Sequence, residues 1–271
     1  MHCTAGAFAL AMVAAAALPA QAQTVVVSRP PATAPNAASY ACGAPAEFAR
    51  FSYPLRHTAQ RLARGEPLTI VAVGSSSTAG AGASSLAASY PSRLAVELRQ
   101  RFPGRDITVI NRGVNGEETQ QMVARFGTDV IVAHPDLVLW QVGTNSVLRD
   151  HPLTTHSIVL RNGIAQLQEA GADVVLINMQ FAPRVLAKQE TEGMEDQIAL
   201  TAKADGIDLF DRFAIMRNWH DVRHMPFEAF IAPDQLHMND WSYACVAKLL
   251  AAAIGEAGTR PIASAAVRTH Q

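Results

Sequence analysis

Charge is scarce in this chain: 17% of its 271 residues are charged, the net charge is −1 and the sequence pI is near 6.8. No basic run is present, so nothing electrostatic argues for nucleic acid or an anionic membrane surface as a partner. Long apolar runs are missing too. Beyond residue 22 no segment approaches eighteen uninterrupted apolar residues, which excludes stable membrane insertion through a hydrophobic helix. Metal-ligand spacing is absent around the candidate histidines: His220 and His224 could join His237, but no Cys or Glu sits at matching spacing, so neither a metal nor another cofactor is expected. No lysine lies near Gly80, which excludes a Walker phosphate loop. Counting a dinucleotide fingerprint from Gly80 and Gly82 lands on Ser85 instead of a third glycine.

Cysteine is limited to Cys3, Cys42 and Cys245. The first of these falls in a stretch, Met1 to Ala22, with an apolar run from Ala5 to Leu18 and a small-x-small ending at Ala20-Gln21-Ala22. It reads as a secretory signal peptide, residues 1–22, although its first residues carry His2 and no lysine or arginine. Cleavage leaves Cys42 and Cys245 as an even pair in an exported chain, periplasmic or secreted, where a disulfide between them is expected; two buried free thiols are the alternative. Residues 23–40 are rich in Pro, Ala and Val without a helical or strand period and read as a flexible lead-in. With 49% hydrophobic residues the remainder suffices for one core, so a single domain is expected over 41–256, followed by a flexible tail, 257–271.

The stretch around which that domain is organised is Leu68 to Gly82. Ile70, Val71 and Val73 form a β-branched run with nothing polar after Thr69, the signature of a strand buried on both faces. It ends at Gly74 and displays Ser75, Ser76, Ser77 and Thr78 where the strand meets the surface. Further apolar runs follow at Ile107–Ile110, Leu137–Val142, Val174–Ile177 and Ile207–Phe210. Between and around them, helical spacing spans Phe48–Arg64, Tyr90–Phe102, Glu117–Phe126, Thr155–Ala170, Glu190–Ala204 and Asn239–Ile254. Strand and helix alternate without an internal repeat, which predicts an α/β fold: a doubly wound, mainly parallel five-stranded sheet with helices on both faces.

In such sheets ligands bind outside the carboxyl ends of the strands. Polar and glycine-rich loops fall there repeatedly: Ser75–Thr78, then Asn111-Arg112-Gly113-Val114-Asn115-Gly116, then Gly143-Thr144-Asn145. Asp234-Gln235-Leu236-His237 lies just before the last helix, near enough in sequence for one loop to place an acid beside an imidazole. Hydroxyl, imidazole and carboxylate are the parts that acyl transfer requires. The Gly-x-Ser-x-Gly elbow is not present, because Thr78 stands where its closing glycine belongs.

Gly74-Ser75-Ser76-Ser77-Thr78, Gly113, Gly143-Thr144-Asn145 and Asp234-Gln235-Leu236-His237 resemble, in order, the four blocks of the SGNH, or GDSL-type, hydrolase superfamily, over about Pro67 to Ala253. The resemblance implies a flavodoxin-like three-layer α/β/α sandwich and a serine esterase. It implies Ser76 as nucleophile, His237 as base, Asp234 as its orienting acid, and an oxyanion hole built from the Ser76 and Gly113 backbone N–H groups with the Asn145 side chain. Two positions depart from the pattern: Ser75, where the family more often has aspartate, and Ser242, where glycine is common.

The reading is an exported enzyme that cleaves a small-molecule or polysaccharide ester, such as an acetylated carbohydrate, a short acyl ester or a lysolipid. A carbohydrate- or envelope-binding protein without turnover, and an acyltransferase to an alcohol, are the alternatives; the oligomeric state is left open. Asn178 and Gln180, ending the fourth strand, are candidates to line the substrate pocket. Met225–Ile231 reads as a flap beside His237, and Trp140 as core.

Overall fold

A computed structural model of the chain describes His2 and residues 40–260; the rest of the expected signal peptide, most of the lead-in and residues 261–271 lie outside the described residues. Five strands, β1 (Leu68–Gly74), β2 (Ile107–Gly113), β3 (Leu137–Gln141), β4 (Asp173–Ile177) and β5 (Asp208–Phe210), form one sheet in the order β2-β1-β3-β4-β5. Every pairing is parallel. The sheet is parallel because the connections are helical crossovers, and it must then be apolar on both faces. Every residue of β3 is buried, and in β1 all but Thr69 are. Each fully buried Val, Leu or Ile contributes about 1.5–3 kcal/mol relative to exposure.

Five longer helices cover the faces: α1 (Arg56–Arg64), α2 (Tyr90–Arg101), α3 (Leu153–Glu169), α4 (Thr191–Ala204) and α5 (Asp240–Thr259). Helices α1, α2 and α5 pack together, while α3 packs with α4 and with the short helix Thr119–Ala124. Trp140 is fully buried, as expected for core, with its indole edge-on to Phe126.

Three elements differ from the expectation. Of the stretch Phe48–Arg64, only Phe48 and Ala49, which end a short helix Ala46–Ala49, and α1 are helical. Pro54 interrupts it, and just ahead of the proline the Ser52 and Tyr53 N–H groups donate to Asp208 Oδ1 at 2.6 and 3.2 Å. The second crossover helix, expected over Glu117–Phe126, spans only Thr119–Ala124: it starts at a capping box, Glu118 with Gln121, and gives way at Arg125 to a wider turn over Phe126–Val130. Helix α5 runs to Thr259, past both its expected end at Ile254 and the expected start of the tail at 257. Cys42 is joined to Cys245 on α5, with 5.4 Å between their Cα atoms.

Candidate active site

Strand β1 lies between β2 and β3, the point where strand order reverses, and its register pairs Gly74 with Gly113 and Val73 with Trp140. The loops after these strands therefore leave the sheet level with one another. After Gly74 the chain turns into a short helix, Ser76–Ala79, closed by Ala79 and Gly80 N–H groups donating back to Ser75 and Ser76 carbonyls. Of the four hydroxyl residues here, only the Ser76 hydroxyl meets an imidazole: it donates to His237 Nε2 at 2.8 Å. The other three face inward. The Ser75 hydroxyl and N–H both donate to Gln141 Oε1 at 3.0 and 2.9 Å, Thr78 Oγ1 donates to the same oxygen at 3.3 Å, and Ser77 Oγ donates to Gln180 Oε1 at 3.4 Å.

The histidine comes from a tight hairpin. Ala232 N–H donates to the His237 carbonyl, Gln235 N–H to the Ala232 carbonyl, and Gln235 adopts φ 60°, a left-handed conformation uncommon for a non-glycine residue. Within the turn, Asp234 Oδ1 accepts the Leu236 and His237 N–H groups at 3.0 and 2.9 Å, while Oδ2 accepts from His237 Nδ1. Burial pushes the Asp234 carboxyl up, but the hydrogen bonds from the His237 ring, His237 N–H and Leu236 N–H outweigh it and hold the group below the ordinary aspartate value. With Nδ1 bound to that carboxylate, Nε2 is free to accept from Ser76. Behind the imidazole sits Gly82 at φ +84°. A Cβ there would lie 2.5 Å from the Met238 carbonyl oxygen and 2.8 Å from His237 Cβ, so only glycine allows this approach.

The oxyanion side needs one correction. The Gly113 N–H donates to Asn111 Oδ1 at 2.9 Å, and a Cβ on Gly113 would meet the Ala79 backbone nitrogen at 2.1 Å; the glycine is required for packing and its N–H is committed. Three residues on, Gly116 N–H has no intramolecular acceptor among the described residues, and neither does Ser76 N–H. Asn145 Nδ2 donates to the Glu117 carbonyl at 2.7 Å and Arg149 Nη2 to the Gly116 carbonyl at 2.8 Å, which brings the loops after β2 and β3 together. Glu118 braces the same junction, accepting from Arg149, His151 and Ser146.

A second correction concerns Asn178 and Gln180. Both are 1% exposed and turned into the protein. Asn178 Nδ2 donates to Glu195 and Asp211, Asn178 Oδ1 accepts the Phe213 N–H, and Gln180 meets Arg212, which is completely buried. Burial, together with the nearby Asp211 carboxylate, pushes Glu195 up to about 8; burial pushes Arg212 down to about 10. Sequence reading missed Arg212 altogether. It follows Asp211 at the start of a short helix, a context that ordinarily reads as solvated.

The segment proposed as a flap, Met225–Ile231, contributes Phe227, Glu228 and Ile231 to a cavity of about 470 Å³ that also takes in Gly82, Pro183 and Gln235. His220 stacks on Phe227 with ring centroids 4.3 Å apart and bonds Asp221, not the hairpin. No metal-holding cluster occurs among the described residues. Another cavity, about 570 Å³, opens between α1, the end of α5 and Arg105 ahead of β2, at the opposite end of the strands.

Comparisons with known proteins bear on this arrangement. An arylesterase of Vibrio mimicus is 34% identical over 95 residues, which are 35% of this chain and 46% of the relative. A two-domain esterase active on acetylated mannans aligns with TM-score 0.65 and 21% identity, covering 78% of this chain and 56% of its own. The acetylxylan esterase Axe2 of Geobacillus stearothermophilus aligns with TM-score 0.60 and 19% identity over 69% of this chain and 94% of its own. The chain thus spans about half the length of both the arylesterase and the mannan esterase, and the structural likenesses speak to the fold. The model of the non-GDSL lipase-like family matches residues 41–260, and on that extent the chain belongs to this family, within the SGNH-type esterase superfamily.

Proposed function

We propose that this protein hydrolyses carboxylic esters through an acyl-enzyme on Ser76. The observation that carries the reading is the hydrogen-bonded line from Ser76 Oγ through His237 to Asp234. As Ser76 Oγ attacks the ester carbonyl carbon, its proton passes to Nε2, and the Asp234 carboxylate stabilises the imidazolium that forms. The negative oxygen of the tetrahedral intermediate is held by the Ser76 N–H, the Gly116 N–H and the remaining Asn145 Nδ2 hydrogen. Collapse breaks the bond to the alcohol oxygen, which leaves with the proton from His237. Water, deprotonated by the same nitrogen, then releases the acid. No step requires a cofactor.

The substrate we infer is a short acyl ester on a carbohydrate. Solved structures of the same fold that act on acetylated mannan and acetylated xylan support this choice. The disulfide supports an exported enzyme, since such a bond persists in an oxidising compartment. The test is a panel of p-nitrophenyl esters from acetyl upward, with acetylated polysaccharides, on wild type and Ser76→Ala. Hydrolysis falling at least about 10⁴-fold in the variant is expected. Equal rates in the two proteins, or no ester cleaved, overturns the reading.

A further inference from the structure

Beneath the three loops that supply Ser76, Asn145 and His237 lies one neutral side chain that touches all three. Gln180 Oε1 accepts from Ser77 Oγ at 3.4 Å and from Thr144 Oγ1 at 3.1 Å, while Gln180 Nε2 donates to the Leu236 carbonyl at 3.3 Å. Each contacted residue is the immediate chain neighbour of a reacting or oxyanion-binding residue. The orientation of the carboxamide is fixed by its partners. Arg212 Nη2, 3.0 Å from Oε1, can only donate, and the Leu236 carbonyl can only accept. Arg212 in turn is anchored by donating through Nε and Nη2 to the Asn178 carbonyl at 3.1 and 2.6 Å, and its Nη1 has no partner among the described residues. A completely buried guanidinium is costly to retain. Retention is accounted for if the cation holds a group on which the site's geometry depends.

We propose that Gln180, braced by Arg212, is a positioning residue that sets the spacing of Ser76, Asn145 and His237. The inference rests on the esterase reading for its effect on rate and on the hydrogen bonds alone for its effect on the loops. It accounts for the burial of a polar residue three positions beyond the end of β4, where a side chain turned outward would have lined the cleft. It also assigns the hydroxyls of Ser77 and Thr144 a role: each turns its loop inward by one residue, leaving Ser76 to face His237 and Asn145 to face the loop after β2.

Two variants separate this from a general core role. Gln180→Leu keeps the bulk and removes all the bonds. Gln180→Glu keeps an acceptor for Arg212, Ser77 and Thr144, removes the donor to Leu236 and adds a carboxylate beside the Arg212 cation, so its exchange pattern rather than its rate is the readout. Hydrogen exchange of the folded proteins is measured alongside kcat and KM for p-nitrophenyl acetate and the rate at which a fluorophosphonate labels Ser76. For Gln180→Leu, faster exchange in 75–82, 143–149 and 234–238, with α1 unchanged, and kcat lower by about 10²-fold at a KM within about threefold are expected. For Gln180→Glu, faster exchange confined to 234–238 is expected. Unchanged exchange in the three loops of Gln180→Leu, or uniform acceleration that includes α1, overturns the proposal. If wild type shows no Ser76-dependent hydrolysis, the esterase reading falls while the exchange pattern still decides whether Gln180 positions the loops.

Discussion

The disulfide permits a prediction whose size follows from chain length. Cys42 and Cys245 are 203 residues apart, so the bond closes nearly the whole described domain into one loop. In the chain-entropy treatment, cross-linking a loop of that length stabilises the fold by about 5 kcal/mol, by restricting the unfolded chain. The native side should change little when the bond is broken, because the segment around Cys42 is held independently. Trp219 Nε1 and Arg223 Nη1 donate to the Gly43 carbonyl at 2.8 and 3.2 Å, Arg223 Nη2 to the Ala41 carbonyl at 2.5 Å, and Trp241 Nε1 to the Tyr40 carbonyl at 3.2 Å. At about 2–4 °C per kcal/mol for a domain of this size, Tm should fall by about 10–20 °C.

The assay is thermal and urea unfolding of the oxidised protein, the same protein in reductant, and a Cys42→Ala, Cys245→Ala double variant. Reductant and double variant should agree, and both should show a larger urea m-value, because an uncrosslinked chain exposes more surface on unfolding. A Tm drop under about 3 °C with both thiols shown free by intact mass would refute the reasoning. So would a large drop with an unchanged m-value, which would place the effect in native packing instead of the unfolded ensemble.

Three further outcomes are expected. Asn145→Ala should lower kcat by about 10²–10³-fold with KM little changed, and a variant with full kcat in ester hydrolysis removes Asn145 from the oxyanion site. Ser75→Asp, although it restores the residue more common in the family, should destabilise by about 3–5 kcal/mol: a buried carboxylate would face Gln141 Oε1, which already accepts from Ser75 N–H and Thr78. Wild-type urea stability in that variant refutes the account. Glu195 is raised from the ordinary glutamate value of 4.5 to about 8, with burial first and Asp211 second among the causes. The folded state therefore binds its proton more tightly than the unfolded chain, so this stabilising contribution is complete below about 4.5 and is lost as pH rises through about 8. Urea unfolding at pH 5, 7 and 9 should show stability declining across this window, with a shallower decline in Glu195→Gln; parallel slopes in the two proteins contradict it.

The sheet was legible in the sequence because its strands are buried on both faces: Ile70, Val71 and Val73 admit no other exposure pattern, and Gly74 marks where the run must turn. Helix ends were less legible. Pro54 breaks Phe48–Arg64 in concert with Asp208, a residue more than 150 positions away that no local pattern could supply. The same limit applies to the site. Ser76, His237 and Asp234 stand in ordered motifs, whereas the inward turn of Asn178 and Gln180 depends on Arg212 and Glu195 arriving from elsewhere in the chain. Gly113 shows a subtler gap. A glycine at a strand end can offer its N–H to a ligand or its missing Cβ to a neighbouring loop, and only the proximity of Ala79 decides between them.

The distribution of polar groups along the strands has an electrostatic logic that composition alone conceals. At the amino ends of β3, β4 and β5, Asp136, Asp173 and Asp208 accept from Thr69, from His57 and Thr58, and from Ser52 and Tyr53. There carboxylates serve well, because backbone N–H groups, the Thr58 hydroxyl and the Arg61 guanidinium donate to them and no reaction takes place nearby. At the carboxyl ends the equivalent duty falls to carboxamides, Gln141 under the Ser75–Thr78 turn and Gln180 under all three loops. An anion about 8 Å from a developing oxyanion, at an effective dielectric of about 20, would raise that transition state by about 2 kcal/mol, roughly thirtyfold in rate. A carboxamide accepts the same hydrogen bonds without that penalty. The Arg212 cation beneath them, bonded to Gln180 Oε1, contributes with the opposite sign. Buried amides directly beneath the reacting loops, with a cation below them, are the arrangement expected of a site in which negative charge must appear on an oxygen.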